Sequence, residues 1–354
     1  MGNKCNQFDE GWVNEMKENK LKPRGARSIS KVIGNYSFIF IFLAIFFAFL
    51  IINGGATTWS GIMNILRHST VVGILSFGMG LVIITGGIDL SVGSMLSLIG
   101  GIAVVVFNNT NNPILTLLCA LGVGIILGLI NGIFVGLAKM PAFIVTLSTM
   151  LIYRSVAQYY LRTMGLSIYN MDGTFSSYDA LYGFGQAKVF TVPMVGIVLL
   201  AVTIVMVYLS TMTKFGKTVY AIGSNQKAAQ LAGINVKNTR VMVFAITGFL
   251  CGLSAFLWLA MNGSVDPATI GKSYEMYAIA AVVIGGISMS GGKGRLLGVL
   301  FGAMSYTIID KIIASLGFDA LINDTIKGSI LLIAVLVQIV VPTIRDRIKK
   351  PSIE

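Results

Sequence analysis

Ten apolar stretches, most of them near the ~20 residues that an α-helix needs to cross a bilayer, leave this chain few ways to fold. They fall near residues 36–52, 64–84, 91–106, 113–138, 141–161, 190–210, 240–261, 275–290, 296–313 and 326–344, the third and the eighth being short. Inside hydrocarbon no water satisfies a bare N–H or C=O, so only helices and closed barrels span it, and runs of this length select helices. The expected fold class is therefore an all-α integral membrane protein with about ten transmembrane helices. Composition agrees. Charged residues make up 11% of the 354 and hydrophobic ones 55%, against roughly 25% charge in a soluble domain. The sequence divides into a basic segment at 1–35, a transmembrane domain at 36–345 and a short tail at 346–354.

Orientation follows from where Lys and Arg sit between the spans. With the N-terminus inside, 19 of the 26 basic residues fall in inner segments, and Asp172, Asp179, Asp266, Asp319 and Asp324 fall outside. Both termini are thus expected in the cytoplasm. The polar lead before the first span is too long for a signal peptide, which points to a retained first helix. A net charge of +12 does not indicate nucleic acid, because the basic residues lie between apolar blocks rather than in a stripe with aromatics. Cys5, Cys119 and Cys251 are too scattered for a disulfide framework or a metal site. Asn108-Asn109-Thr110 fits a glycosylation sequon, a match short enough to arise by chance.

One interruption organises the rest. Ile83-Ile84-Thr85-Gly86-Gly87-Ile88-Asp89-Leu90-Ser91-Val92-Gly93-Ser94 sets adjacent glycines, two serines and a carboxylate between apolar runs. A lone carboxylate in hydrocarbon costs ~2.5–3.5 kcal/mol even on lenient insertion scales, and irregular backbone at that depth persists only where protein or a water-filled cavity covers it. Asp89 is accordingly expected at a helix break or helix end, facing protein or a pathway. A looser echo, Gly285-Gly286-Ile287-Ser288-Met289-Ser290-Gly291-Gly292, repeats Gly-Gly-Ile in register. Two readings stand side by side: helix junctions with capping serines, or parts of a transport path.

Small residues four apart form ribbons on several spans: Gly124, Gly128, Gly132 and Gly136; Gly93, Ser97 and Gly101; Gly294, Gly298 and Gly302. Such ribbons let backbones approach closely in lipid, where no hydrophobic effect drives helices together. The same surfaces also suit a subunit interface. Met140-Pro141-Ala142-Phe143-Ile144-Val145-Thr146-Leu147 begins a helix, since proline lacks a donor that the first turn would leave unused. Arg154 within that helix is expected to snorkel, with a carboxylate partner or a cavity as alternatives. The outer segment 162–189, rich in Tyr, Ser, Gly and Asp, suits docking of a soluble protein or an aromatic interfacial belt.

The inner segment 211–240 holds the second strong pattern, Thr213-Lys214-Phe215-Gly216-Lys217 running on to Gly223-Ser224-Asn225-Gln226-Lys227-Ala228-Ala229-Gln230-Leu231-Ala232-Gly233-Ile234-Asn235. Ser224 or Asn225 can cap a short helix, the alanine-rich body 226–232 favours one, and Gly233 with Ile234 suits a left-handed stop followed by an apolar contact. A short capped helix with small exposed side chains fits a partner's groove, or is an ordinary surface helix.

Gly-Gly-Ile-Asp-Leu-Ser-Val-Gly-Ser at 86–94 resembles the signature of ribose/galactose-type sugar permeases, the membrane subunits of bacterial ATP-binding-cassette importers. The 213–235 pattern is similar to that family too, as is Tyr274-Glu275-Met276-Tyr277-Ala278-Ile279-Ala280-Ala281 with Gly291-Gly292-Lys293-Gly294-Arg295 behind it. The likeness covers roughly residues 60–345. It implies the compact ten-helix type II importer fold in the bacterial cytoplasmic membrane, paired with a second copy of itself or a related permease. It further implies separate ATPase subunits and an extracytoplasmic sugar-binding protein that delivers a monosaccharide such as ribose or galactose. Neither a cofactor nor a metal is implied. The resemblance assigns contact with the ATPase to the inner segment, through Phe215, Gly216, Gly223, Asn225, Ala228, Ala229 and Gly233. Candidates for the translocation pathway are Asp89, Ser91, Asn131, Thr146 and Glu275.

One departure matters: many relatives read Glu-Leu-Asp-Ala-Ile-Ala where this chain has Tyr277, so no role of that aspartate carries over. There is also a tension. The charge-based orientation puts both Gly-Gly-Ile motifs on the inner side, a parallel relation, whereas the halves of that fold are described as inverted. Gly291-Gly292-Lys293-Gly294 lacks the Gly-x4-Gly-Lys-Ser/Thr spacing of a phosphate loop, so ATP energy is expected to enter from another chain and the protein is not expected to be an enzyme. A permease for another small polar solute such as a nucleoside is the first alternative. An ion-coupled secondary transporter is the second, and such proteins usually keep membrane carboxylates or histidines for coupling; here His68 sits near a helix end. A membrane-embedded enzyme would need clustered titratable residues, which the sequence lacks.

Overall fold

The computed structural model describes residues 36–54, 57–164, 169–317, 322, 325–336 and 340. The segments 1–35 and 346–354, together with Cys5, Asp319 and Asp324, lie outside the described residues. Helices dominate: α1 (Ser37–Ile52), α2 (Trp59–Ile84), α3 (Val92–Thr110), α4 (Pro113–Gly132), α5 (Ala142–Thr163), α6 (Ser176–Gln186), α7 (Met194–Met212), α8 (Lys214–Ser224), α9 (Gln226–Leu231), α10 (Val236–Asn262), α11 (Tyr274–Ile284) and α12 (Leu297–Ser315), followed by α13 (Thr325–Leu336). Each of the ten apolar stretches overlaps one of them. Six helices among the described residues have the length and hydropathy to cross a bilayer: α2, α3, α4 with its continuation to Leu137, α7, α10 and α12. Ten crossings exceed what helix length alone supports. α1 has 16 residues and α11 has 11, and at 1.5 Å per residue α11 covers about half of a ~30 Å hydrocarbon layer. α5 is 22 residues long but carries Arg154 and Gln158.

The helix starts follow from local chemistry. Thr58, Asn112, Thr213, Asn225 and Asn235 each cap a helix by accepting a backbone N–H of its first turn, and Pro113 occupies the first helical position of α4. A π-helical turn, Ile133–Leu137, ends α4.

α2 is the central post. Phe77, Met79, Leu81 and Ile83 are fully buried, and α10, α12, α11 and α7 pack around it. The glycine ribbon of α4 faces α10: a methyl group at Gly124 would overlap the Gly248 carbonyl, and one at Gly128 the Phe244 carbonyl. Gly298 and Gly302 on α12 likewise lie against the backbone of Gly285 and Ala281 on α11. These ribbons therefore pack the chain against itself, which decides between the two uses they suited.

β1 (Tyr169–Asn170) pairs antiparallel with β4 (Ser264–Val265), Tyr169 opposite Val265. β2 (Lys188–Val189) and β3 (Val192–Pro193) form a hairpin. Asn108 holds residues 170–172 through its side-chain amide, donating to Asn170 O at 3.0 Å and accepting from Asp172 N at 2.9 Å. Thr174 gives its hydroxyl and N–H to Asp172 Oδ1 at 2.7 and 2.9 Å, which holds that carboxyl below its usual range. The described part of segment 162–189 is thus folded and tied to the loop after α10.

Candidate translocation and coupling site

α2 ends in a left-handed glycine stop. Gly86 has φ +83°, its N–H reaches Ile83 O at 2.9 Å, and Gly87 N reaches Val82 O at 3.0 Å; these two bonds satisfy carbonyls that the helix end would otherwise orphan. α11 ends the same way at Gly286 (φ +82°), with Gly286 N to Val283 O at 2.9 Å and Ile287 N to Val282 O at 3.1 Å. The backbone thus equates Gly86 with Gly286, whereas the Gly-Gly-Ile lettering equated Gly86 with Gly285. The echo is real as a helix stop and displaced by one residue as a repeat. The reason is physical: only one glycine of each Gly-Gly-Ile pair carries a positive φ, the first in one motif and the second in the other.

Beyond the first stop, Asp89 is fully buried and protein-facing. Its Oδ1 accepts from Ser91 N at 2.9 Å and Ser91 Oγ at 2.6 Å, the local turn that lets α3 begin. Oδ2 has no partner among the described residues. Asn131 Nδ2 donates to Ser91 Oγ at 2.8 Å. The Tyr153 hydroxyl lies 3.4 Å from Asn131 Oδ1 and 3.2 Å from Leu127 O. Thr146 Oγ1 sits between Ala142 O at 2.9 Å and Ile88 O at 3.2 Å. Asp89, Ser91, Asn131 and Thr146 are therefore brought together from α4, α5 and the break between α2 and α3. Glu275 stands apart from that chain, against the first turn of α3, where the space above Gly93 is filled by the Gly271 carbonyl and the Glu275 carboxylate.

The backbone beside α3 explains Arg154. Residues 266–273 run as successive turns along α3, with Ser97 Oγ donating to Pro267 O at 3.1 Å and Gly271 pressed on Gly93. Arg154 Nη1 donates to Pro267 O at 3.0 Å and Ile270 O at 2.6 Å. The expected snorkelling is corrected: a half-buried guanidinium supplies donors to non-helical carbonyls, which need them away from water. It also lies within electrostatic reach of Glu275.

On the opposite face α8 closes against the first glycine stop and against residues 292–294, which follow the second. Gly292 N donates to Ile84 O at 2.9 Å, Gly223 packs against Ile84 O and Gly292 N, and the Tyr220 hydroxyl donates to Gly294 O at 2.9 Å. Burial pushes the Tyr220 phenol up, so it remains a donor. Asn225 caps α9 by accepting Ala228 N at 3.0 Å. Gly233 (φ +80°) ends it with Gly233 N to Gln230 O and Ile234 N to Ala229 O, both at 3.0 Å. Phe215 packs against the main core, and Gly216 is buried against Ser210. One expectation changes. Ala228 is exposed but Ala229 is buried with Ile222 and Val236, because successive residues on a helix point about 100° apart. Ala229 anchors α9; it is not an exposed docking residue.

Sequence reading passed over two side chains. Tyr153 lies seven residues after Thr146 on the same buried stripe of α5 as Thr149, a helical spacing that was legible. Leu231 is 91% exposed on α9, and nothing in its composition marked it. At Tyr277, the position of the absent aspartate, the ring lies 5.5 Å from Tyr274 and 5.0 Å from Tyr306, with Lys327 Nζ 4.9 Å above it and 2.7 Å from Asp310.

Spans packed by glycine ribbons, short and broken helices, and polar residues paired at the break define a multi-pass membrane protein of the transporter kind. Residues 61–336 match the family described as the branched-chain amino acid transport system / permease component, and the chain belongs to that family. It is similar to the ribose import permease protein RbsC of Escherichia coli strain K12, 37% identical over 285 residues, which is 79% of this chain and 86% of that one. It also resembles the fructose import permease protein FrcC of Rhizobium meliloti, 36% identical with 81% and 80% covered. The xylose transport system permease protein XylH of Haemophilus influenzae is 31% identical with 83% and 93% covered. No solved structure matches the chain.

Proposed function

We propose that this protein is the membrane-spanning permease subunit of a bacterial ATP-binding-cassette importer for a monosaccharide of the ribose, xylose or fructose kind. In this reading it crosses the cytoplasmic membrane ten times with both termini inside, α1, α5, α11 and α13 serving as the four further crossings. It pairs with a second copy or a related permease, receives sugar from an extracytoplasmic binding protein, and takes its energy from separate ATPase subunits, having no phosphate loop of its own.

The observation that carries the reading is the contact of α8 with the end of α2 and with residues 292–294. ATPase closure on the exposed face of α9, Ala228 and Leu231, would displace α8 as a rigid piece. The displacement would reach Ile84 and Gly292 through Gly223, and from the Gly86 turn it would reach Asp89, Ser91 and Asn131 within a few residues. Those side chains, with Thr146 and Glu275, are the ones we assign to the pathway or its gate. The test is uptake into proteoliposomes with and without the ATPase partner, for each of the three sugars. ATP-dependent accumulation of one sugar is expected. Accumulation driven by an ion gradient in the absence of ATPase would replace this reading with a secondary transporter.

A further inference from the structure

Beside the first glycine stop lies a cavity of about 400 Å³, bounded by the Gly86 turn, the link between α4 and α5, and the start of α10. Lys139 and Arg240 bring two positive charges to it, and among its described lining residues there is no carboxylate. The first turn of α5 also lines it, and no side chain caps that turn, so the Ala142 and Phe143 amides add donors there. Arg240 spends one donor on Gln226 Oε1 at 2.9 Å and keeps the others. Phe143 and Phe244 supply an apolar floor. Next to this cavity, Ile133, Phe134 and Leu137 on the π-helical turn and Ile144 and Leu147 on α5 are exposed and apolar, continuous with the spans they extend.

A pocket with two cations and no counter-charge, opening onto a hydrocarbon-like strip at the ends of membrane spans, matches one amphiphile. We propose that the cavity binds the phosphate headgroup of an anionic phospholipid, with an acyl chain lying along Phe134, Leu137 and Leu147. Basic pockets between spans hold such headgroups by charge and by position. A free phosphate would use the same cations but would gain nothing from the strip. The inference requires only that the chain spans a bilayer, so its failure leaves the proposed sugar import untouched.

The test is native mass spectrometry of delipidated protein titrated with dioleoylphosphatidylglycerol or dioleoylphosphatidylcholine. The wild type is expected to prefer phosphatidylglycerol. Lys139→Gln and Arg240→Gln should each cut that preference about fivefold, while Lys293→Gln, at an exposed lysine outside the cavity, should not. Lys139 is exposed, so its variant remains informative even if loss of the Gln226 bond unfolds the Arg240 variant. Equal affinity for the two lipids, or an unchanged preference in Lys139→Gln, overturns the proposal. Displacement of phosphatidylglycerol by inorganic phosphate would reassign the cavity to a soluble anion. Expulsion of lipid on dimer formation would reassign the strip to a subunit contact.

Discussion

At Asp89 a single oxygen takes both bonds that Ser91 has to give, and the other takes none. Asp89→Asn keeps an acceptor for Ser91, removes the charge and puts an amide NH2 where the unpartnered oxygen stands. Folding and insertion are therefore expected to hold, while uptake into proteoliposomes falls about tenfold, the equivalent of ~1.4 kcal/mol. Wild-type uptake from correctly inserted protein would reduce Asp89 to a turn-former. Arg154 works differently, through carbonyls rather than through an acid. Arg154→Met leaves the Ile270 carbonyl without its side-chain donor and the Pro267 carbonyl with that of Ser97 alone, a loss of about 1–3 kcal/mol at Ile270. Its melting temperature in detergent should drop accordingly, and an unchanged melt would sink the account. The polarity of Asp89 inside an apolar run made it legible. The acceptors of Arg154 were not, because they are backbone atoms more than a hundred positions away, and no side chain advertises them.

Among the elements, α9 and the α4–α10 pair carry the sharpest expectations. Ala228→Glu adds bulk and charge on the exposed face of α9, so membrane insertion should survive while ATPase co-purification is lost. Ala229→Glu instead forces a carboxylate against Ile222 and Val236, and the expected result is loss of folded protein by size-exclusion analysis. Normal ATPase capture by Ala228→Glu would remove the coupling assignment from α9. Gly128→Leu would drive its side chain into the Phe244 carbonyl, and should cost several kcal/mol by overpacking and helix separation, read as a lower detergent melting temperature. Capping signals made α9 readable to within a residue, since Asn225 and Gly233 act locally. The division of labour between Ala228 and Ala229 was not readable, because it depends on where Ile222 and Val236 come to rest.

For the whole molecule, the apolar period announced membrane helices, but span count and orientation depend on how short elements sit in the bilayer. α11, at 11 residues, is too short to span a bilayer by its length and is held by its packing against α12 and α2. Orientation has a direct check. In a background with Cys5, Cys119 and Cys251 replaced by alanine, Lys227→Cys should react with a membrane-impermeant maleimide only from the cytoplasmic side, and Asp172→Cys only from outside. The opposite pattern would invert the topology. A last consequence concerns glycine. The chain contains 41 glycines, and two kinds among the described ones contrast. Gly86, Gly233 and Gly286 have positive φ and open space where a Cβ would stand, whereas Gly298 and Gly302 have ordinary φ and no space at all. The first kind needs a conformation and the second needs a void. Asparagine, the side chain that best tolerates the left-handed region, should be accepted at the helix stops, while alanine, the mildest residue for a helix interior, should be rejected at Gly298. In a saturation library the two kinds of glycine would then show opposite preferences, and glycine content alone would say nothing about which positions are flexible.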